Sequence, residues 1–115
     1  MTTIVIFKSK DSYKGFTCMG HAGFGPSGHD IVCAAISILV INTLNSIEEL
    51  AKENVITESD EREGYLECHF PDDINEKTKL FMDSLVLGLK GIEQSYGKKT
   101  FSKKKRYFEL IIKEV

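Results

Sequence analysis

The sequence carries almost no net charge: 15 Lys and Arg against 17 Asp and Glu leave −2 over 115 residues. Such a balance gives no global electrostatic pull toward nucleic acid or an anionic membrane. Long hydrophobic runs are missing as well. The longest, Ile31 to Ile41, is about half of the ~20 residues that cross a bilayer. In the opening MTTIVIFKSK the apolar stretch comes first and the lysines last, which is neither the order nor the length of a secretory leader. The expectation is a soluble cytoplasmic protein with no membrane partner. Cysteine is scarce and odd in number, with Cys18, Cys33 and Cys68 lacking the spacing of a disulfide framework, so free thiols are expected. No internal repeat or low-complexity stretch is present beyond one basic segment near the C-terminus.

What is there is ordinary for a globular domain: 42% hydrophobic and 28% charged residues. A chain of this size builds one core, so residues 1–115 read as a single domain. Thr3 to Lys8 is a β-branched apolar run, and the polar turn at Ser9 to Ser12 leads into a second extended stretch, Tyr13 to Gly20. The segment from Ala22 to His29 holds Gly23, Gly25, Gly28 and Pro26, too many breakers for a regular element, and reads as a loop. Asp30, a good N-cap, then precedes a helical pattern from Ile31 to about Lys52 whose first three turns are apolar on every face. Such a helix needs cover on more than one side.

Val55 to Ser59 and Gly64 to Phe70 form a second hairpin, with Leu66, Cys68 and Phe70 alternating toward the core. Asp73 followed by Glu76 resembles a capping box and opens a second helix ending at Gly97, with an apolar stripe at Ile74, Phe81, Leu85, Leu89, Ile92 and Tyr96. Gly88 and Gly91 weaken that helix unless close packing requires them. Tyr107 to Val115 is a last strand with Phe108, Leu110 and Ile112 on one face. The order ββαββαβ predicts an α+β two-layer fold, a mainly antiparallel sheet with two helices.

Unusual residues concentrate between Gly20 and Ser37. If Asp30 caps the helix, Cys33 lies in the first turn, where the dipole and unpaired N–H groups favour a thiolate and offer donors to an oxyanion. A histidine beside it would complete a nucleophile and its base, but the residues alone leave His21 and His29 as equal candidates. The bland reading of any one cysteine is a small buried hydrophobe. That reading is kept for Cys18 and Cys68, and His69 is taken as a surface residue.

Gly20-His21-Ala22, the glycine-rich loop and Asp30-Ile31-Val32-Cys33-Ala34-Ala35-Ile36-Ser37 together resemble the ribosomal-processing cysteine protease family Prp of bacteria. The resemblance covers the whole chain, including the ββαββαβ order. It implies a cysteine protease with Cys33 as nucleophile and His21 as base, needing no cofactor or metal. It implies a homodimer that removes the N-terminal extension of large-subunit ribosomal protein twenty-seven by cutting after a pair of phenylalanines. Gly20, Ala22, Gly23, Gly25 and Gly28 would then form the substrate loop. Asp30 either orients the imidazole or only caps the helix. Ser37, one turn beyond Cys33, either serves the site or returns its hydroxyl to the preceding turn.

Two readings from other classes compete. Cys18, His21, His29 and Cys33 have zinc-like spacings, but Cys18 and His21 stand three apart at a strand end and an extended backbone points them to opposite faces. Residues 98–106 form a basic segment around Phe101 that suits RNA or ribosome contact, although a solvated charged turn explains it more simply. The stretch Gly23 to Gly28 also spells the dinucleotide fingerprint, with Glu48 at the required distance, but in a hairpin-then-helix context that does not fit.

Overall fold

The computed structural model describes residues 2–20, 27–60, 62–97 and 108–115, with the backbone alone for 27–30. Its elements are β1 (Thr2–Ser9), β2 (Ser12–Met19), α1 (Ser27–Glu49), β3 (Ile56–Asp60), β4 (Tyr65–His69), α2 (Glu76–Ile92) and β5 (Phe108–Glu114). The strands form one sheet in the order β3-β4-β2-β1-β5. The pairs β1–β2, β2–β4 and β3–β4 are antiparallel, and β5 runs parallel to β1. The expected ββαββαβ order and the mainly antiparallel two-layer fold are both present.

Alternation decides which sheet face is covered. Ile4 and Ile6 on β1, Phe16 on β2, Cys68 on β4 and Phe108 on β5 all enter one core, as period-two side-chain direction requires. Leu110 joins the edge of this core, while Ile112 at the far end of β5 stays exposed. The two helices close the same face. From α1 come Val32, Ile36, Val40 and Ile47, and from α2 Met82, Leu85 and Leu89, at the three- and four-residue steps of a helical stripe.

Only one face of α1 is covered. Ile31, Ile38 and Ile41 are 61%, 71% and 54% exposed on the other. The segment Ile31–Glu49 has the length and composition of a bilayer span, longer than the run of apolar letters suggests. Its inner face is packed into the core, as in the central helix of a folded domain.

Three local expectations are corrected. First, α1 begins at Ser27, so Gly28, His29 and Asp30 belong to the helix and Asp30 does not precede it. A single glycine costs only about 1 kcal/mol in a helix that the core holds down, so Gly28 does not stop it. Second, the cap of α2 is Asn75. Its carboxamide oxygen accepts the Thr78 N–H at 2.9 Å while its nitrogen donates to the Ala51 carbonyl at 2.9 Å. A carboxylate at Asp73 can only accept. Third, the α form of α2 stops at Ile92 and continues as a π turn, Glu93–Gly97, whose Glu93 carboxylate accepts the Leu110 N–H at 3.0 Å. Tyr96 consequently stands 40% exposed, outside the stripe.

The glycines divide by what surrounds them. A Cβ at Gly88 would press on Leu39 of α1, whereas at Gly91 it would meet open space. The expected close packing therefore holds for Gly88 and fails for Gly91. Gly15, at φ 154°, lies where β2 meets β4, and a Cβ there would collide with the Cys68 carbonyl oxygen. Gly91→Ala should therefore raise stability by about 1 kcal/mol. Gly15→Ala should lower it by about 2 kcal/mol or more. Paired thermal melts check this: opposite shifts of the two midpoints are expected, and a stabilising Gly15→Ala would contradict the packing described.

Candidate active site

Cys33 is 3% exposed. It sits seven residues into α1, counting from Ser27, almost two turns at about 3.6 residues per turn. This corrects the first-turn placement. The unpaired amides of the helix N-terminus belong to the turn that starts at Ser27, and the Cys33 amide lies within the helical ladder. Among the described residues, Cys33 meets the sheet. Its Sγ is 3.2 Å from Oγ1 of Thr2, the first residue of β1.

Cys33 lines a cavity of about 300 Å³ between the first half of α1, the ends of β1 and β2, and the β3–β4 turn. Ile36, Val40 and Ile41 line it from α1, Cys18 from β2 and Leu66 from β4. Asp60, Gly64 and Tyr65 close the side formed by the hairpin. The Asp60 carboxylate accepts the N–H of Arg62 at 3.0 Å, which holds the turn in shape. Gly20 fixes the other end. It adopts φ 146°, a conformation that side chains disfavour, and its N–H donates to the Gly64 carbonyl at 3.0 Å. The residue just before His21 is thereby tied to the β3–β4 turn.

Of the residues singled out in sequence, the structure brings Cys33, Ser37 and Gly20 to one cavity, with Ser37 exposed at its wall. The positions of His21, Ala22, Gly23 and Gly25 lie outside the described residues, as does the basic segment 98–106. The side chains of His29 and Asp30 do too. His69 is exposed on β4, as expected. The dinucleotide reading fails on topology, because β2 is antiparallel to both of its neighbours and Glu48 lies inside α1. Among the described residues, no group of three His, Cys, Asp or Glu side chains is placed to hold a metal ion.

Sequence reasoning missed Thr2, Cys18, Asp60 and the Gly64–Leu66 stretch. A usable signal existed for Thr2. It occupies the core-facing phase of β1 with Ile4 and Ile6, and a threonine in that phase is a buried hydroxyl needing a partner.

Burial quiets the thiols of Cys18 and Cys68. Burial pushes the Cys18 thiol up to about 11, with a smaller contribution from the neighbouring Cys33. Burial likewise pushes the Cys68 thiol up to about 12, and Glu48 adds to it. Desolvation disfavours the charged form in both. A thiol of pKa 11 is thiolate in roughly one molecule in ten thousand at pH 7. Cys18 lines the same cavity as Cys33.

Comparison with known proteins places this geometry. Residues 1–100 match the family described as cysteine protease Prp. A ribosomal processing cysteine protease Prp from Staphylococcus aureus (strain Mu50) is 32% identical over 77 residues, 67% of this chain and 73% of that protein. Its counterpart from Bacillus subtilis (strain 168) is 29% identical over 85 residues, 70% and 76% of the two chains. The crystal structure of the S. aureus ribosomal processing protease Prp with a covalently linked product peptide superimposes with a TM-score of 0.81 at 26% identity, covering 98% of this chain and 100% of that one.

Proposed function

The chain belongs to the cysteine protease Prp family, and on that premise we propose that Cys33 is the nucleophile and His21 the base of an endopeptidase that trims a ribosomal protein. The substrate is the N-terminal extension of large-subunit ribosomal protein twenty-seven, cut after a pair of phenylalanines in the cytoplasm. One observation carries this reading: Cys33 lines a cavity of about 300 Å³ together with Ile36, Val40 and Leu66. Such a site accepts an apolar side chain next to the bond to be broken.

In the reaction His21 takes the thiol proton as Cys33 Sγ attacks the carbonyl carbon, and the same proton passes to the departing amine. Water, deprotonated by His21, then cleaves the thioester and restores the thiol. Asp30 and Ser37 support the dyad, Asp30 by orienting the imidazole and Ser37 from the cavity wall. Gly20, Ala22, Gly23 and Gly25, with Gly28 at the start of α1, serve the peptide as its binding segment. No metal or other cofactor takes part.

A peptide carrying the Phe-Phe sequence of the extension tests this. Wild type should cut it after the second phenylalanine, and Cys33→Ala should bind it while losing several orders of magnitude in kcat. Equal cleavage by both proteins would overturn the assignment.

The protein also acts as a homodimer in this reading. The exposed apolar face of α1 at Ile31, Ile38 and Ile41 is surface that the two-layer fold leaves uncovered, and a two-fold partner presents a matching copy. Sedimentation should give a dimer for wild type and a shift toward monomer for Ile38→Glu. A wild-type protein that stays monomeric at high concentration would contradict it.

A further inference from the structure

Three threonines are the buried polar side chains among the described residues: Thr2, Thr43 and Thr78. Two have ordinary partners. Thr43 Oγ1 donates to the Leu39 carbonyl one turn back at 2.8 Å, and Thr78 Oγ1 donates to the Glu53 carboxylate at 2.8 Å. Thr2 is different. Its hydroxyl meets the sulfur of a residue 31 positions away in sequence, at 3.2 Å.

The location makes this contact rigid. β1 is held by β2 on one side and β5 on the other, and Thr2 is in register with Phe108 of β5. A β-branched side chain in a strand has restricted χ1, so the hydroxyl direction is set by the sheet. Valine would fill the same space with equal strand preference and without the cost of burying an oxygen. A neutral thiol is a weak partner for that oxygen, whereas a thiolate is a strong acceptor. The hydroxyl therefore gains most when the sulfur is charged.

We propose that Thr2 is a positioning residue for the nucleophile: its hydroxyl donates to Cys33 Sγ in the thiolate form and holds the sulfur at the cavity wall. The inference rests on Cys33 being the nucleophile. No proton is transferred to or from Thr2; during attack the sulfur lone pair passes to the substrate carbonyl carbon and the hydroxyl retains its hydrogen. Among the described residues, the other titratable groups at this cavity are Cys18 from β2, Asp60 from β3 and Tyr65 from β4, and these stay unchanged in the variants compared, as does His21.

The test sets Thr2→Val against Thr2→Ser in peptide cleavage and in iodoacetamide labelling of Cys33 followed against pH. Thr2→Val should lose about tenfold in kcat, the usual scale for one hydrogen bond to a charged group, with KM little changed. Its labelling curve should move to higher pH. Thr2→Ser, which keeps the hydroxyl, should restore both. A role in packing alone would move neither the labelling curve nor the split between kcat and KM.

Wild-type kcat and labelling in Thr2→Val would overturn the proposal, as would a Thr2→Ser that behaves like Thr2→Val. If Thr2→Val fails to fold, Thr2→Ala takes its place against Thr2→Ser, and identical labelling curves for that pair would equally overturn it. Cys33→Ala separates the two levels of inference. Activity surviving in Cys33→Ala removes the nucleophile itself, whereas an inactive Cys33→Ala beside an unaffected Thr2→Val removes only the role of Thr2.

Discussion

The site depends on how α1 is pressed into the sheet. Val32, Ile36, Val40 and Ile47 form the inner line of the helix, and burying four such side chains contributes on the order of 6–12 kcal/mol before entropy is subtracted. That line fixes the rotation of the helix about its axis. Once it is fixed, Cys33, one residue past Val32, can only face the first turns of the sheet where Thr2 and Cys18 emerge. Turning the helix by one residue, about 100°, would carry the sulfur to another face at the cost of the whole inner line. The position of Cys33 is therefore a consequence of core packing.

The cavity has a second origin. Its far wall is the β3–β4 turn, brought into place because β4 pairs with β2 from Gly15 to Met19. The tie from the Gly20 N–H to the Gly64 carbonyl extends that pairing just past the strand ends. Glu53 and Asn75 perform a similar task at the other end of α1. The Glu53 carboxylate accepts from the Asn75 backbone and from the Thr78 hydroxyl, both at 2.8 Å, locking the exit of α1 to the entrance of α2. The helix that carries Cys33 is thus held along its length by apolar packing and beyond its C-terminal end by hydrogen bonds.

Much of this was legible in the sequence, for identifiable reasons. The β-branched run from Thr3 to Lys8 is a strand signal, and alternation in Leu66 to Phe70 is a period-two signal that local sterics enforce. The run from Ile31 to Ile47 is equally plain at the helical period. The motif around Cys33 marked the family through resemblance. What escaped was set by competition or by distance. Ser27 opens α1 inside a stretch whose glycines and proline suggest a loop. Asn75 outcompetes Asp73 as a cap because it both donates and accepts. The contacts of Thr2 and of the β3–β4 turn with the site join residues some thirty positions apart, a separation that no local pattern encodes. Ser37 was left open between a site role and a hydroxyl returned to the preceding turn, and it lines the cavity.

Three thiols in one small domain would ordinarily compete for the same electrophile. Here burial raises Cys18 to about 11 and Cys68 to about 12, so the two are spectators at neutral pH, and Cys18 is one even though it lines the working cavity. The most direct measurement is covalent trapping. The protein is treated at pH 7 with a Phe-Phe peptide ending in a vinyl sulfone and read by intact mass and then by peptide mapping. The account predicts one equivalent of adduct, located on Cys33, absent from Cys33→Ala and slowed in His21→Ala. An adduct on Cys18 or Cys68, or one that forms undiminished in Cys33→Ala, would contradict it.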